Sequence, residues 1–212
     1  MQSTFKKLPP EKQEKIISAA TKIFADKGYY QANVAEICTE AGISNGALYK
    51  YFKDKESLYI STFEHGIIDL KEKVFERHLV GPGSTYEKLY ILLKGIANYG
   101  HKDRREIALY FDLGSRAMNK FAAVLSVQIE DMARNYYFEL IKEGKQNNEI
   151  DKSVNTEKAA YLIDNNINIF AFSLFSEHYD KRFNNYFGSN SKKLSVEKKI
   201  QITLELTKKI LS

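Results

Sequence analysis

Residues 41–58, "AGISNGALYKYFKDKESL", decide how the chain is read. They hold a lone Gly42, a Ser44-Asn45-Gly46 cluster, three aromatic residues and three lysines. Just upstream, Val34, Ile37, Cys38 and Ala41 recur at i, i+3, i+4 and i+7, the spacing of one helix face. Gly42 stops that helix, because Gly reaches a left-handed backbone at little cost. Ser44 and Asn45 then offer caps for a short helix over about 45–52. Two helices joined by so tight a turn make a helix-turn-helix. Ile37, Ala41, Ile43, Leu48 and Tyr51 fall at its apolar positions, and Cys38 is a small side chain where the helices approach.

The pattern stays helical outward from this unit. Residues 11–27 carry Ile16, Ile17, Ala20, Ile23 and Phe24 as a stripe, with Pro9 and Pro10 at the start and Gly28 at the stop. Asn33 caps the next helix, with Glu36 three residues on in a capping-box pairing. Asp54 reads as the cap of a long fourth helix reaching about Leu79. "VGPGS" (80–84) is the strongest break in the chain. Further helices are expected over about 85–100, 103–115, 119–147, 157–178 and 195–211, with a loop at "GSNSKK". Asn155 or Thr156 caps the helix over 157–178. No alternation of strand type appears, so the fold class is all-α with about nine helices. Residues 157–178 are apolar on several faces, as in a helix that packs both on its own core and on a second subunit.

Composition narrows the function. The chain has 212 residues, 43% hydrophobic and 28% charged, ordinary for a globular protein. One cysteine gives no internal disulfide framework and points to a reducing compartment. The N-terminus has no apolar signal-type run, and no apolar stretch is long enough to span a membrane. The net charge of +5 permits an anionic partner. Residues 1–58 hold nine Lys/Arg against seven Asp/Glu, so the basic charge is not segregated, and an argument for nucleic acid rests on placement.

That placement lies around the second helix of the unit, whose N-terminal end faces the DNA groove in such motifs. Ser44, Asn45, Ala47 and Lys50 are the candidates for base edges: Ala47 for a thymine methyl, Lys50 for guanine O6 and N7. Tyr49 is expected to bury its ring and aim its hydroxyl at a phosphate, while Lys53 and Lys55 add positive charge beside it. Asn33 offers a further phosphate contact, and Gly46 completes the set.

On these residues the chain resembles the TetR family of bacterial transcriptional regulators. The resemblance runs through "AATKIFADKGYYQANVAEICTEAGISNGALYKYFKDKESL": an aromatic after the Gly that ends helix one, the "AGIS" turn, and "GALYKYFKDKESL". Two positions depart from the family pattern. Ala32 and Asn33 stand where a Thr pair is usual, which puts one phosphate contact in doubt, and Cys38 stands where Ala is usual. The resemblance implies a DNA-binding domain over 1–53 and a helical ligand-binding and dimerisation domain over 54–212. It implies a homodimer through 157–178 and 195–211, reading a palindrome-like double-stranded operator. It also implies repression relieved by a small molecule, and a bacterial cytoplasmic protein that sits on the nucleoid when bound.

The middle helices are rich in aromatic residues, so the effector is expected to be apolar or aromatic. Tyr90, Tyr99, Tyr110, Phe111, Met118, Tyr136, Tyr137, Phe170 and Phe175 are its candidate contacts. Phe121, Met132 and Phe138 lie nearby in sequence. Asn165, Asn166 and Asn168 are either polar handles or a helix's wet face, the latter preferred. His65, His78, His101 and His178 are too scattered for a metal motif, and Cys38 reads as a packed residue rather than a redox sensor. No phosphate loop, nucleophile elbow or zinc-protease motif is present, so neither an enzyme nor a cofactor is expected. The rival reading is a DNA-bound adaptor with no small-molecule effector.

Overall fold

Local signals set most helix ends in the computed structural model, which describes residues 3–76, 82–102, 104–188 and 193–212. The described residues form eleven α-helices and no strand. The helix count exceeds the expected nine by two. The first extra is α1 (Ser3–Lys6), held by Phe5, which is 1% exposed with its ring 4.9 Å from that of Phe52. A tertiary anchor of this kind leaves no periodic trace in four residues. The second is α10 (Glu177–Phe187), separated from α9 (Thr156–Phe175) by the single extended residue Ser176. No Gly or Pro marks that break, so the sequence ran α9 on to 178.

The chain packs as two compact units. One comprises the residues up to Asp69 together with 104–128; the other comprises 70–102 and 129–212. The first unit is built on α2 (Pro10–Gln31), with Pro10 at its first turn and a break at Gly28 (φ 70, ψ 163). Ile16, Ile17, Ala20 and Phe24 of α2 are buried. They share this unit with buried Ile37, Cys38 and Ala41 of α3 (Val34–Ala41), Leu48 of α4 (Asn45–Tyr51) and Leu58 and Tyr59 of α5 (Lys55–Leu70). α7 (Arg104–Asp112) also packs on α2. Phe24, Tyr29, Tyr59 and Phe121 join ring to ring at 4.6–5.2 Å, except the Phe24–Tyr29 pair at 6.2 Å. The long fourth helix of the sequence reading ends earlier as an α-helix: α5 passes at Leu70 into a π-helical stretch, Lys71–Glu76. Its expected end near Leu79 lies outside the described residues, as do Val80 and Gly81 of the break, Asp103 and most of the "GSNSKK" loop.

In the second unit α9 packs on α6 (Thr85–Lys102), α10 and α11 (Val196–Ile210). Ile163, Ile167 and Phe170 form its buried face. Asn155 caps α9 through Lys158 N–H, the first of the two caps the sequence offers. The α6 start is capped from a distance: Thr85 N–H donates to Glu149 at 2.6 Å. There Gly144 of α8 (Asn119–Gln146) lies so close that an added Cβ would stand 2.5 Å from Thr85 Oγ1 and 2.6 Å from Ile150 Cδ1. Only Gly fits that approach. Buried Lys199 donates to Asp180 (2.6 Å) and to the Ser173 carbonyl (2.7 Å), fixing α10 against α9 and α11. Burial alone would raise the Asp180 carboxyl, but Lys193 and Lys199 together hold it below its usual range.

Candidate nucleic-acid interface

The interface is assembled by three caps in succession. Asn33 accepts from Ala35 N–H at 2.9 Å and starts α3. Gly42, at φ 69 and ψ 37, ends it. Ile43 N–H reaches the Cys38 carbonyl at 3.0 Å and Gly42 N–H the Thr39 carbonyl at 3.2 Å, the paired bonds of a Schellman motif. Ser44 then accepts from Ala47 N–H at 3.1 Å and starts α4 with only three residues, Gly42 to Ser44, between the two helices. The turn is therefore short and fixed, and it sets the angle at which α4 leaves α3.

On α4 only Leu48 is buried; Asn45, Gly46, Tyr49 and Lys50 are exposed and Ala47 is half-buried. An added Cβ on Gly46 would meet nothing nearer than Ser44 Oγ at 4.0 Å. The fold therefore does not need Gly there. Tyr49 departs from expectation: it is 51% exposed, so its ring is not buried, because Leu48 takes the inward position of this turn. Its hydroxyl makes no hydrogen bond with the described residues.

Charge is distributed unevenly around this surface. Lys22 pairs with Glu40 at 2.7 Å and Lys27 with Glu36 at 2.6 Å, so the flanks of α3 are close to neutral. The Lys27 ammonium holds the Glu36 carboxyl below the usual range. Lys50 and Lys53 are exposed, with no ion pair among the described residues. Asp54 and Ser57 cap α5 reciprocally: Ser57 N–H donates to Asp54 at 2.8 Å, and Asp54 N–H to Ser57 Oγ at 3.1 Å. The Ser57 N–H draws the Asp54 carboxyl down. Lys55 is half-buried, donating to the Tyr30 carbonyl at 3.3 Å and lying 4.8 Å from the Tyr29 ring centre. Burial, with Lys120 close by, lowers its pKa. The sequence did not reveal this Tyr29 cluster, in which Lys120 also lies 4.9 Å from the ring and pairs with Glu56 at 2.6 Å. Tyr30 donates to the Ala117 carbonyl at 2.8 Å, linking α2 to the 3-10 turn Arg116–Met118.

The two departures noted in the sequence are quiet here. Ala32 is 4% exposed and Cys38 is 3% exposed, its thiol pushed up by burial, which suits a packed residue. The effector candidates divide between the units. Tyr110, Phe111 and Met118 lie in the first; Tyr90, Tyr99, Tyr136, Tyr137, Phe170 and Phe175 lie in the second. Tyr90 donates to Glu197 at 3.1 Å. The hydroxyls of Tyr99 and Tyr136 are buried with no hydrogen-bond partner, and burial drives the Tyr136 phenol well above its ordinary pKa. Asn166 bonds to Thr203 and Thr207, while Asn165 is exposed and bonds back to the Tyr161 carbonyl. Among the described residues no group of three His, Cys, Asp or Glu could hold a metal, and no helix is long and apolar enough to cross a membrane.

Residues 16–62 match bacterial regulatory proteins of the tetR family. The HTH-type transcriptional regulator HbdR of Aromatoleum sp. (strain CIB) is 37% identical over 83 residues, 39% of this chain and 36% of its own. The chain thus matches about a third of that relative's length. The fatty acid metabolism regulator protein of Bacillus subtilis (strain 168) is 28% identical over 155 residues, 72% of this chain and 77% of its own. In overall fold the chain is similar to the transcriptional regulator FadR from Bacillus subtilis, solved in complex with stearoyl-CoA. The TM-score is 0.65 at 19% identity, over 93% of this chain and 97% of that one.

Proposed function

The chain belongs to the TetR family of transcriptional regulators through its N-terminal DNA-binding domain, and from this premise we propose that it is a dimeric repressor released from its operator by an apolar effector. The observation that carries the reading is the outer face of α4. It presents Asn45, Gly46, Ala47, Tyr49 and Lys50 outward on a helix whose start is fixed by Ser44. Ser44, Asn45, Ala47 and Lys50 would read base edges, while Asn33, Tyr49, Lys53 and Lys55 would hold phosphates. Seven residues of helix reach only a few base pairs, so useful specificity requires two copies on a two-fold site, about 34–36 Å apart.

The outer side of α9 supports the dimer. Tyr161, Leu162 and Ile169 are 69%, 50% and 37% exposed on a helix whose opposite side is fully buried. A lone subunit gains nothing from exposing them. Tyr99 and Tyr136 support an effector. A buried hydroxyl without a partner costs about 1–3 kcal/mol, a cost that a ligand's polar group would remove. The FadR complex with stearoyl-CoA suggests the class, and we assign this chain a long acyl chain carried as a thioester. Its candidate contacts in the second unit are Tyr90, Tyr99, Tyr136, Tyr137, Phe170 and Phe175. A coupling of about 1–3 kcal/mol between effector and DNA suffices for release.

The test is selection of sites from a random duplex library near physiological salt, followed by titration with acyl thioesters of increasing length. Recovery of a palindrome released by long chains is the expected result. A palindrome that no acyl thioester releases favours the adaptor reading. No sequence-specific recovery from effector-free protein would overturn the regulator reading.

A further inference from the structure

A groove in the second unit, between α8 and α9, encloses about 250 Å³. That is below the usual 300–1,000 Å³ of small-molecule sites and suits a side chain. Glu130, Asp131, Glu157 and Asp164 line it beside the rings of Tyr137 and Tyr161. None of the four carboxylates has an ion-pair partner among the described residues. The one cation at the groove, Arg134, is stacked on Phe138 at 4.2 Å. The groove is therefore a net-negative, ring-walled slot without its counter-charge. Burial, and then Glu130, push the Asp164 carboxyl up to about 6, as expected of an acid lacking a cation.

The matching charge is on α10. Arg182 is exposed, has no ion pair among the described residues, and lies 5.4 Å from the ring of Tyr186, which is 69% exposed. Arg and Tyr are the residue types most enriched among energetic anchors of interfaces. In contrast, neighbouring Lys181 is already paired with Glu177 at 2.8 Å.

Symmetry brings the two together. In the dimer proposed above, a two-fold axis crossing α9 between exposed Leu162 and Ile169 would run the helix antiparallel to its copy, and every contact would occur twice. The groove uses the N-terminal half of α9, and α10 starts one residue beyond its C-terminal end. Antiparallel pairing sets each groove against the end of the other α9, where the partner's α10 begins.

We propose that the groove receives the partner's Arg182, with the ring of the partner's Tyr186 beside it, so that each dimer carries two such ionic anchors. This rests on the dimer reading given above and adds to it the contact that makes the face selective for its own copy. Close interfacial charge pairs couple strongly, and like charges placed together exclude wrong partners.

The test is sedimentation equilibrium of the full chain with Arg182→Glu, Glu130→Arg and Ile169→Asp, each checked for unchanged helix content. Arg182→Glu and Glu130→Arg alone should each raise the dimer dissociation constant at least tenfold. Mixing the two variants should restore a dimer to within a few-fold of wild type, because in the mixed pair positions 130 and 182 carry opposite charges at both contacts. Ile169→Asp tests the dimer reading itself. A wild-type dimer dissociated by Ile169→Asp but indifferent to both charge reversals would overturn the groove assignment and leave that reading intact. Wild type sedimenting as a monomer at tens of micromolar would overturn both.

Discussion

Gly46→Ala separates what the fold requires from what DNA requires. Gly46 lies in the first turn of α4 without a positive φ, and beyond its chain neighbours and the helix's own backbone a Cβ built on it comes no nearer than 4.0 Å to another atom, Ser44 Oγ. Nothing in the protein opposes the methyl group. The substitution should instead recover the entropy that Gly loses in a helix, about 0.5 kcal/mol at the low end of the usual range because the site is in the first turn. For a chain of this size that is a rise in melting temperature of roughly 1–2 °C. Binding should move the other way. If the α4 backbone lies against base edges, an inserted methyl costs about 1–3 kcal/mol per half-site, by analogy with overpacking a filled space. Both half-sites are hit in a dimer, so operator affinity should fall by at least tenfold. Calorimetry on the free protein and fluorescence anisotropy on a selected duplex at fixed salt measure the two effects. A variant that is more stable and binds unchanged would refute the close backbone approach. A variant that is less stable would refute the claim that the fold is indifferent to this residue.

Lys53→Ala, at an exposed and unpaired ammonium, should weaken binding alike on all duplexes and reduce the salt slope by about 0.9 per half-site, whereas Lys50→Ala should change base preference in a repeated selection. Gly144→Ala should destabilise the fold by about 1–3 kcal/mol, since the new Cβ collides with Thr85 and Ile150; a shifted urea midpoint at constant m would record it. Tyr136→Phe removes a phenol that has no partner in the free protein, so stability should hold or rise by about 1 kcal/mol while release by acyl thioester weakens in the anisotropy assay. Asp164, with a folded pKa of about 6 against an ordinary 3.8, binds its proton more tightly in the folded state. Below the dimerisation range, stability should therefore rise as pH falls from 7 through 6 towards 4, by up to about 3 kcal/mol. Asp164→Asn should flatten that part of the pH profile in denaturant melts.

The helix-turn-helix was legible because its signals are local and mutually reinforcing. Asn33, Gly42, Ser44 and Asp54 each end or start a helix by satisfying backbone groups within a few residues, so sequence and structure agree at these points. The α1 helix and the break at Ser176 are set by tertiary contact instead. Phe5 is held by Phe52, and α10 by Lys199 reaching Asp180, pairings across distances that a periodic pattern does not encode. The same limit applies to Tyr49. Alternation with Leu48 decides which of the two turns inward, and a residue's aromatic character alone does not.

Lys55 shows how the structure apportions a charge that the sequence can only count. Three lysines follow one another around α4, and by composition they are equivalent. In the fold Lys50 and Lys53 remain in water, while Lys55 is held inside by the Tyr30 carbonyl and the Tyr29 ring. That ring has Lys120 near it as well, and Lys120 is in turn held by Glu56. Tyr29, Tyr30, Lys55, Glu56, Ala117 and Lys120 thus make one connected polar and aromatic cluster in the first unit, tying α2, α5 and the 3-10 turn together. Freeing Lys55 for a phosphate means giving up the carbonyl and the ring. A shift of the 3-10 turn would act on Lys55 through Tyr30 and Lys120, whereas Lys50 and Lys53 have no such tether. Under the proposed DNA contact, the charge at this surface divides into a fixed part, on Lys50 and Lys53, and a part that depends on how the Tyr29 cluster is packed.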